Sequence, residues 1–408
     1  MVALQRMNSN RALTLIFCTM TLDVLAMGLM IPVLPGIILG FMGGDTAEAA
    51  GMVGVFATVW ALMQFFFSPL LGSLSDRYGR RPVILLSCLG LGLDYIFMAV
   101  APSLALLFVG RIVSGITSAT IGTATAYIAD VTPPEGRAKA FGLVGVAFGL
   151  GFVVGPALGG LLGSLEPRLP FWVAAASCFA NAAFGWFILP ESLPPERRMS
   201  FSWRRANPLG AIRLLSKHRL LLGLAATNFL GQLAHQVLPG IFVLYAGFRF
   251  GWGEGPVGLT LAFVGIGSVF VQGLLVGPIV ARLGERRTLL LGLSMGTFGM
   301  AIYGLAPNGP WFLVGVPVMA LWGVAGPAAQ GLMSRLVSPA EQGQLQGANA
   351  SLVSVTGLIG PGLFAFAFAH FIGSLPGASW LLAAAILAAA LAIASIVTRR
   401  QPVDAPHR

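Results

Sequence analysis

The chain alternates long apolar runs with short polar interruptions. The runs fall at residues 12–35, 50–72, 83–101, 104–129, 139–163, 170–189, 219–246, 256–281, 288–306, 310–335, 344–371 and 376–398. About 20 consecutive apolar residues suffice for a helix to cross the hydrocarbon core of a bilayer, and each run reaches or approaches that length. Nothing alternates with a period of two, so the expected fold is all-α, with 12 transmembrane helices, here segments 1 to 12. Six lie on each side of a polar stretch. The expected division is an N-terminal six-helix bundle at 1–189, a linker at 190–218 and a C-terminal six-helix bundle at 219–408.

Between segments 2 and 3 sits a dense polar knot of Gly72, Asp76, Arg77, Gly79, Arg80, Arg81 and Pro82. Such a cluster cannot lie in hydrocarbon and predicts a tight turn at the membrane surface. A weaker copy, Gly277, Arg282, Gly284 and Arg286, occurs about half a chain later, and the same offset carries Gly155 and Pro156 onto Gly360 and Pro361. The two halves therefore read as an internal repeat. In the copy Ala281 stands where Asp76 stands in the first turn, which predicts a weaker set of ion pairs there.

Charge fixes the expected orientation. With the N-terminus inside, all but Arg111, Arg168 and Arg249 of the 24 lysines and arginines fall on cytoplasmic turns, tails or the adjoining helix ends. This is the positive-inside asymmetry, and it requires an even number of crossings, with both termini cytoplasmic. The composition agrees, at 56% hydrophobic and only 9% charged, with a mean hydropathy of +0.86. The net charge of +10 thus follows topology and gives no reason to expect nucleic acid. The cysteines Cys18, Cys88 and Cys178 lie inside apolar runs without metal-ligand spacing. In the linker, 208–218 reads either as a basic helix on the inner leaflet, against anionic membrane lipids, or as a solvated tether.

These features together resemble the major facilitator superfamily of secondary transporters. The turn Gly72, Asp76, Arg77, Gly79, Arg80, Arg81 is similar to that family's signature between helices 2 and 3. The sequence from Arg111 to Gly115 resembles its helix 4 motif. Gly151, Gly155, Pro156 and Gly159 resemble the helix 5 motif of its drug:proton antiporters. A narrower resemblance, to tetracycline-efflux antiporters, rests on Asp23 with Pro32 and Pro35, on Gln64, Asp94 and Tyr95, and on Arg249 to Trp252, Gln330 with Gly331, and Gln346 with Gly347. One position departs: that group has a membrane aspartate in helix 9, where this chain has Gly296. The resemblance implies the major facilitator fold, two pseudo-symmetric bundles and a monomer in a bacterial cytoplasmic (inner) membrane. It implies proton-coupled efflux of hydrophobic small molecules, tetracycline-like compounds among the candidates, by alternating access. It also implies that Asp76, Arg77, Arg80, Arg81, Asp130 and Arg137 latch the cytoplasmic ends of helices together.

Asp23, Asp94 and Arg111 are the charged side chains well inside predicted spans. On insertion scales each costs at least ~2.5–3.5 kcal/mol at the bilayer centre, so such residues face a polar interior and tend to have a task. For Asp23 the alternatives are coupling to a proton or substrate, or a structural bond near the Pro32 and Pro35 break. Asp94 is a coupling group or a static partner of another helix, and Arg111 a proton-linked residue or a gating arginine. In segment 7, Asn228, Gln232, His235 and Gln236 recur on one helical face. With Gln64 and Gln330 they form a candidate substrate-binding set, lining a cavity or bonding helix to helix.

No phosphate-binding glycine loop, paired-histidine zinc motif or cysteine pair is present, so the sequence gives no reason to expect an enzyme or a cofactor. The energy source consistent with this is a proton gradient. The alternatives are a uniporter or importer of a small metabolite and, in another class, a transport-inactive membrane receptor.

Overall fold

The computed structural model describes residues 9–118, 120–133, 137–198, 219–338 and 341–399. The linker stretch 199–218 and the side chain of Arg137 lie outside the described residues. Among those described, the regular structure is helical. Eleven stretches are long and apolar enough to cross a membrane: Arg11–Phe41, Thr46–Tyr78, Arg80–Val100, Leu104–Val131, Ala140–Leu165, Leu169–Phe187, Arg219–Phe250, Glu254–Leu305, Gly309–Ser334, Leu345–Phe371 and Ala378–Val397. The 52-residue stretch Glu254–Leu305 is interrupted at Gly284, whose φ of 74° and ψ of 162° are not helical. It is segments 8 and 9 joined end to end, and the expected 12 spans result.

Several spans are bent where the sequence supplies a reason. Segment 1 runs as Ser9–Met30, turns at 31–33, and resumes as Leu34–Phe41. Pro32 and Pro35 remove two backbone donors there. Asp45 accepts from the N–H groups of Ala47 and Glu48 at 2.9 and 3.0 Å and so caps the start of segment 2. Segment 4 is not the single helix expected over 104–129. Leu104–Thr117 ends at Ser118, whose hydroxyl donates back to the Ser114 carbonyl at 2.7 Å, and a second helix covers Thr120–Val131. A serine bonding its own helix in this way competes with the backbone ladder.

The chain divides into two compact units. Unit 1 comprises Met1–Gly44, Val59–Ala206 and Trp252–Gly265; unit 2 comprises Asp45–Thr58, Asn207–Gly251 and Ile266–Arg408. Segments 2 and 8 are each divided between them. Within unit 1, segment 1 packs on segments 5 and 6, and segment 3 on segments 4 and 6. Within unit 2, segment 7 packs on segments 11 and 12, and segment 9 on segments 10 and 12. Adding six to each member of the first set gives the second. The repeat seen in the sequence is therefore also a repeat of helix pairing.

Glycine governs the closest approach in unit 1. A Cβ on Gly155 would lie 2.8 Å from the Gly28 α-carbon, and one on Gly159 would lie 2.1 Å from the Leu29 carbonyl oxygen. Segments 1 and 5 thus touch backbone to backbone, the arrangement small residues permit. The other face of segment 5 meets the start of segment 8, where a Cβ on Gly258 would lie 2.3 Å from the Pro156 carbonyl oxygen.

Candidate functional site

A small cavity of about 40 Å³ opens inside unit 1, lined among others by Asp23, Trp60, Gln64, Tyr95, Ser114 and Thr120. A water needs some 10–15 Å³, so the space suits water or a proton carrier of that size rather than a drug. Four segments contribute: Asp23 comes from segment 1, Trp60 and Gln64 from segment 2, Tyr95 from segment 3, and Ser114 and Thr120 from the two pieces of segment 4. The break at Ser118, itself in the lining, brings Ser114 and Thr120 to the same hollow. Oδ1 of Asp23 is buried without a hydrogen bond.

Asp94 and Arg111 flank this cavity. Asp94 is 3% exposed; the Ser114 side chain stands near its carboxyl, but neither oxygen receives a hydrogen bond of ordinary length and angle. Arg111, 6% exposed, is the charge acting on it, yet the two form no ion pair within 4.0 Å. The guanidinium instead donates to the Met30 thioether at 3.7 Å and stands over the Trp60 ring, 5.4 Å from its centre, while its Nε goes unmet. A buried carboxyl and a buried guanidinium that are neighbours without being bonded are both undersatisfied. A proton added to the carboxyl, or a small shift that joins the pair, relieves that. A Cβ on Gly110 would lie 3.2 Å from Asp94 Oδ1, so segment 4 approaches the carboxyl closely through a glycine. Arg111, which sequence left without an assigned partner, thus has Asp94 and not Asp23 as its acidic neighbour.

The polar turn after segment 2 is built around Arg80. Its guanidinium bonds Asp76 Oδ1 at 2.5 Å, Ser75 Oγ at 2.7 Å and Asp130 Oδ2 at 3.0 Å. Gly79 adopts φ 108°, and its missing Cβ leaves room for the Glu191 carboxylate, which would lie 2.3 Å from it. Glu191 accepts from the Arg80 and Arg81 N–H groups at 2.9 and 3.3 Å, an anion at the start of segment 3. Arg81 donates to the carbonyls of Gly185 and Trp186. Arg77 stacks on Tyr78 at 5.1 Å, and Gly72 accepts from Ser75 Oγ at 2.8 Å. Asp76, Arg80 and Asp130 are thus brought together, and Glu191 joins them. Glu191 opens the expected linker, and nothing in the sequence marks it as folding back onto this turn.

In unit 2 the polar residues of segment 7 share a helical face but do not form one cluster. His235 lies 5.8 Å from the Trp322 ring. Gln236 packs against Gly360, where a Cβ would lie 2.4 Å away. Gln330 accepts from Asn349 at 3.2 Å. Asn228 and Gln232 are half-buried. Gln64 belongs to unit 1. Gly296 is filled over by Trp322, whose Cγ would lie 2.8 Å from a Cβ at that position. Among the described residues no group of histidine, cysteine and acidic side chains is arranged to hold a metal ion.

Comparison with known proteins gives a consistent set of relatives. Residues 16–361 match the Major Facilitator Superfamily. The tetracycline resistance protein, class C, of Escherichia coli is 39% identical over 381 residues, covering 93% of this chain and 95% of that protein. The class G protein of Vibrio anguillarum is 38% identical, covering 89% and 92%, and the class H protein of Pasteurella multocida 34%, covering 96% and 97%. Among solved structures, the nucleoside transporter NupG superposes with a TM-score of 0.77 at 14% identity, covering 96% of this chain and all of that one. The human organic anion transporter MFSD10 does so at 0.70 and 24%, covering 95% and 99%.

Proposed function

The chain belongs to the Major Facilitator Superfamily and is a multi-pass membrane transporter, and on that premise we propose that it exports hydrophobic small molecules, tetracycline-like compounds among them, in exchange for protons. The observation that carries this reading is the cavity in unit 1 with Asp23 in its wall, flanked by the unbonded Asp94 and Arg111. Its likeness to tetracycline resistance proteins along nearly the whole chain supports the substrate class.

The chemistry follows from the price of burying charge. A carboxylate inside the membrane needs a partner, water or a proton. In one state Asp23 opens to water through the cavity and releases its proton; in the other it is shielded and holds one. Substrate bound in the state that favours release lowers proton affinity, and by linkage the proton lowers substrate affinity by the same factor. Asp94 and Arg111 act as the companion switch, joined when the carboxyl is charged and apart when it is neutral. The bonds around Arg80 hold the cytoplasmic face closed, so their strength sets the balance between outward-open and inward-open populations. Both termini lie in the cytoplasm of a bacterium whose inner membrane holds the protein.

The test is growth of a pump-deficient bacterium on tetracycline. Expression of the chain raises the tolerated concentration, and Asp23→Asn at equal membrane abundance returns it to the level of empty cells. Full resistance from Asp23→Asn removes this carboxyl from the mechanism. Accumulation of the compound in place of its extrusion turns the reading into that of an importer.

A further inference from the structure

Arg111 stands between two resting places and is found at the weaker one. On one side is Asp94: a Cβ on Gly110, the residue before Arg111, would lie 3.2 Å from its Oδ1. On the other are the Met30 thioether, 3.7 Å from the donating Nη1, and the Trp60 ring, its centre 5.4 Å from the guanidinium carbon. The backbone fixes this second place. Met30 is the last residue of the helix Ser9–Met30, and the Val33 N–H donates back to its carbonyl at 3.2 Å, so the turn at 31–33 sets where its side chain starts. Segment 2 meets segment 4 at Gly115, where a Cβ would lie 2.8 Å from the Trp60 carbonyl oxygen and 3.3 Å from the Trp60 α-carbon. Arg111 lies four residues before Gly115 on the same helical face, and so comes over the indole.

A thioether is a weak acceptor, whereas a carboxylate forms charge-assisted bonds to a guanidinium. Met30 is 6% exposed, and leucine would fill its space about as well, so packing alone does not call for sulfur there. Its sulfur is instead turned to the cation, on the wall of the cavity that also holds Asp23. The other titratable groups around Asp94 are Tyr95 beside it, Cys178 from segment 6 and, acting on Tyr95, Asp23 from segment 1. Segment 2 brings none between residues 49 and 75.

We propose that Met30 is a positioning residue: its thioether holds the Arg111 guanidinium off Asp94 while that carboxyl is protonated, and holds it weakly enough that the ionised carboxylate takes it back. The acceptor strength at position 30 then sets the pH at which Arg111 changes partner. This deepens the exporter reading and rests on it for the view that Asp94 and Arg111 switch together with the proton.

The test is infrared difference spectroscopy of the purified full chain in lipid nanodiscs, recorded across pH without substrate. The C=O stretch of protonated Asp94 is the band that Asp94→Asn lacks. Met30→Leu keeps the volume and removes the acceptor, which destabilises the state with a neutral carboxyl; the midpoint of the band moves to acid by about one pH unit, a tenfold change in proton affinity. Met30→Gln keeps the length and supplies a stronger acceptor, and the midpoint moves to alkali by about as much. In an Arg111→Gln background neither substitution moves it, because the role runs through the guanidinium. Midpoints equal to that of the wild type, shifts of the same sign in both variants, shifts that persist without Arg111, or a wild type with no Asp94 band at any pH overturn the proposal. Should Met30→Gln not accumulate, Met30→Leu decides alone, and no acid shift overturns it. The band is read without substrate or gradient, so loss of exchange in Asp23→Asn and loss of positioning at Met30 are separate results.

Discussion

The two polar turns of the repeat solve the same problem with opposite charges. In unit 1 the turn supplies the cation, Arg80, and the end of segment 4 the anion, Asp130, 3.0 Å apart. In unit 2 the turn supplies the anion, Glu285, and the end of segment 10 the cation, Arg335, also 3.0 Å apart. The shift that takes Gly72 to Gly277 takes Arg80 to Glu285 and Asp130 to Arg335, so the pairs occupy equivalent positions with their signs exchanged. The glycine that begins each following helix is matched as well, with φ of 108° at Gly79 and 74° at Gly284. What differs is protection. Arg80 has a side chain 10% exposed and three side-chain acceptors, whereas Arg335 is 57% exposed. Arg286 adds only a bond to Thr398 Oγ1 at 3.1 Å. Sequence placed the weakness of the second copy at Ala281; the structure shows the pairing moved to Glu285 rather than lost. Duplication thus preserves the demand for an ion pair at these two positions and not the identity of its members.

Four single substitutions and one charge exchange sharpen or break this contrast, from the largest effect to the smallest. Arg80→Ala strands Asp76 and Asp130 beside each other, and removing one member of a largely buried pair costs about 3–5 kcal/mol. Thermal unfolding in detergent should drop steeply or the protein should fail to accumulate; a small shift contradicts the description of Arg80 as the centre of the turn. Gly79→Ala forces a left-handed φ on a residue with a Cβ and displaces Glu191, at about 1–3 kcal/mol. Gly284→Ala carries φ strain of the same kind, and its melting temperature should fall as well. Arg335→Ala breaks a half-exposed pair and costs under about 1 kcal/mol, an effect that 0.5 M salt should largely erase. The combination Glu285→Arg with Arg335→Glu restores the sense found in unit 1. It should recover the stability that either reversal alone removes, and a double-mutant cycle without recovery denies that the two residues act as a pair.

Legibility differed between the fold and the site for a physical reason. Apolar length is a local property, so Ala378–Val397 and its fellows could be read from composition alone. Glycines four residues apart at 151, 155 and 159 share one helical face and permit a close approach, but nothing in their spacing names Gly28 and Leu29 as the surface approached. Pairings across the sequence left no such trace. Glu191 reaches back to the N–H of Arg80 across 111 residues, and nothing near Glu191 encodes that. The π-turn at Val271–Leu275 has no proline within it and scans as ordinary helix, and Ser118 gave no warning of a break. Asp23 and Asp94 were legible because charge in an apolar run is expensive wherever it ends up. That Arg111 neighbours Asp94 while leaning on Met30 and Trp60 required coordinates.

The account rests on Asp23 as the group that exchanges a proton for substrate. Everted membrane vesicles acidified by respiration and reporting through a pH-sensitive dye test this directly. Adding tetracycline to vesicles with the wild-type chain should discharge part of the acid interior, and vesicles with Asp23→Asn at equal abundance should show no discharge. A discharge of full size from Asp23→Asn, or none from the wild type, contradicts the account.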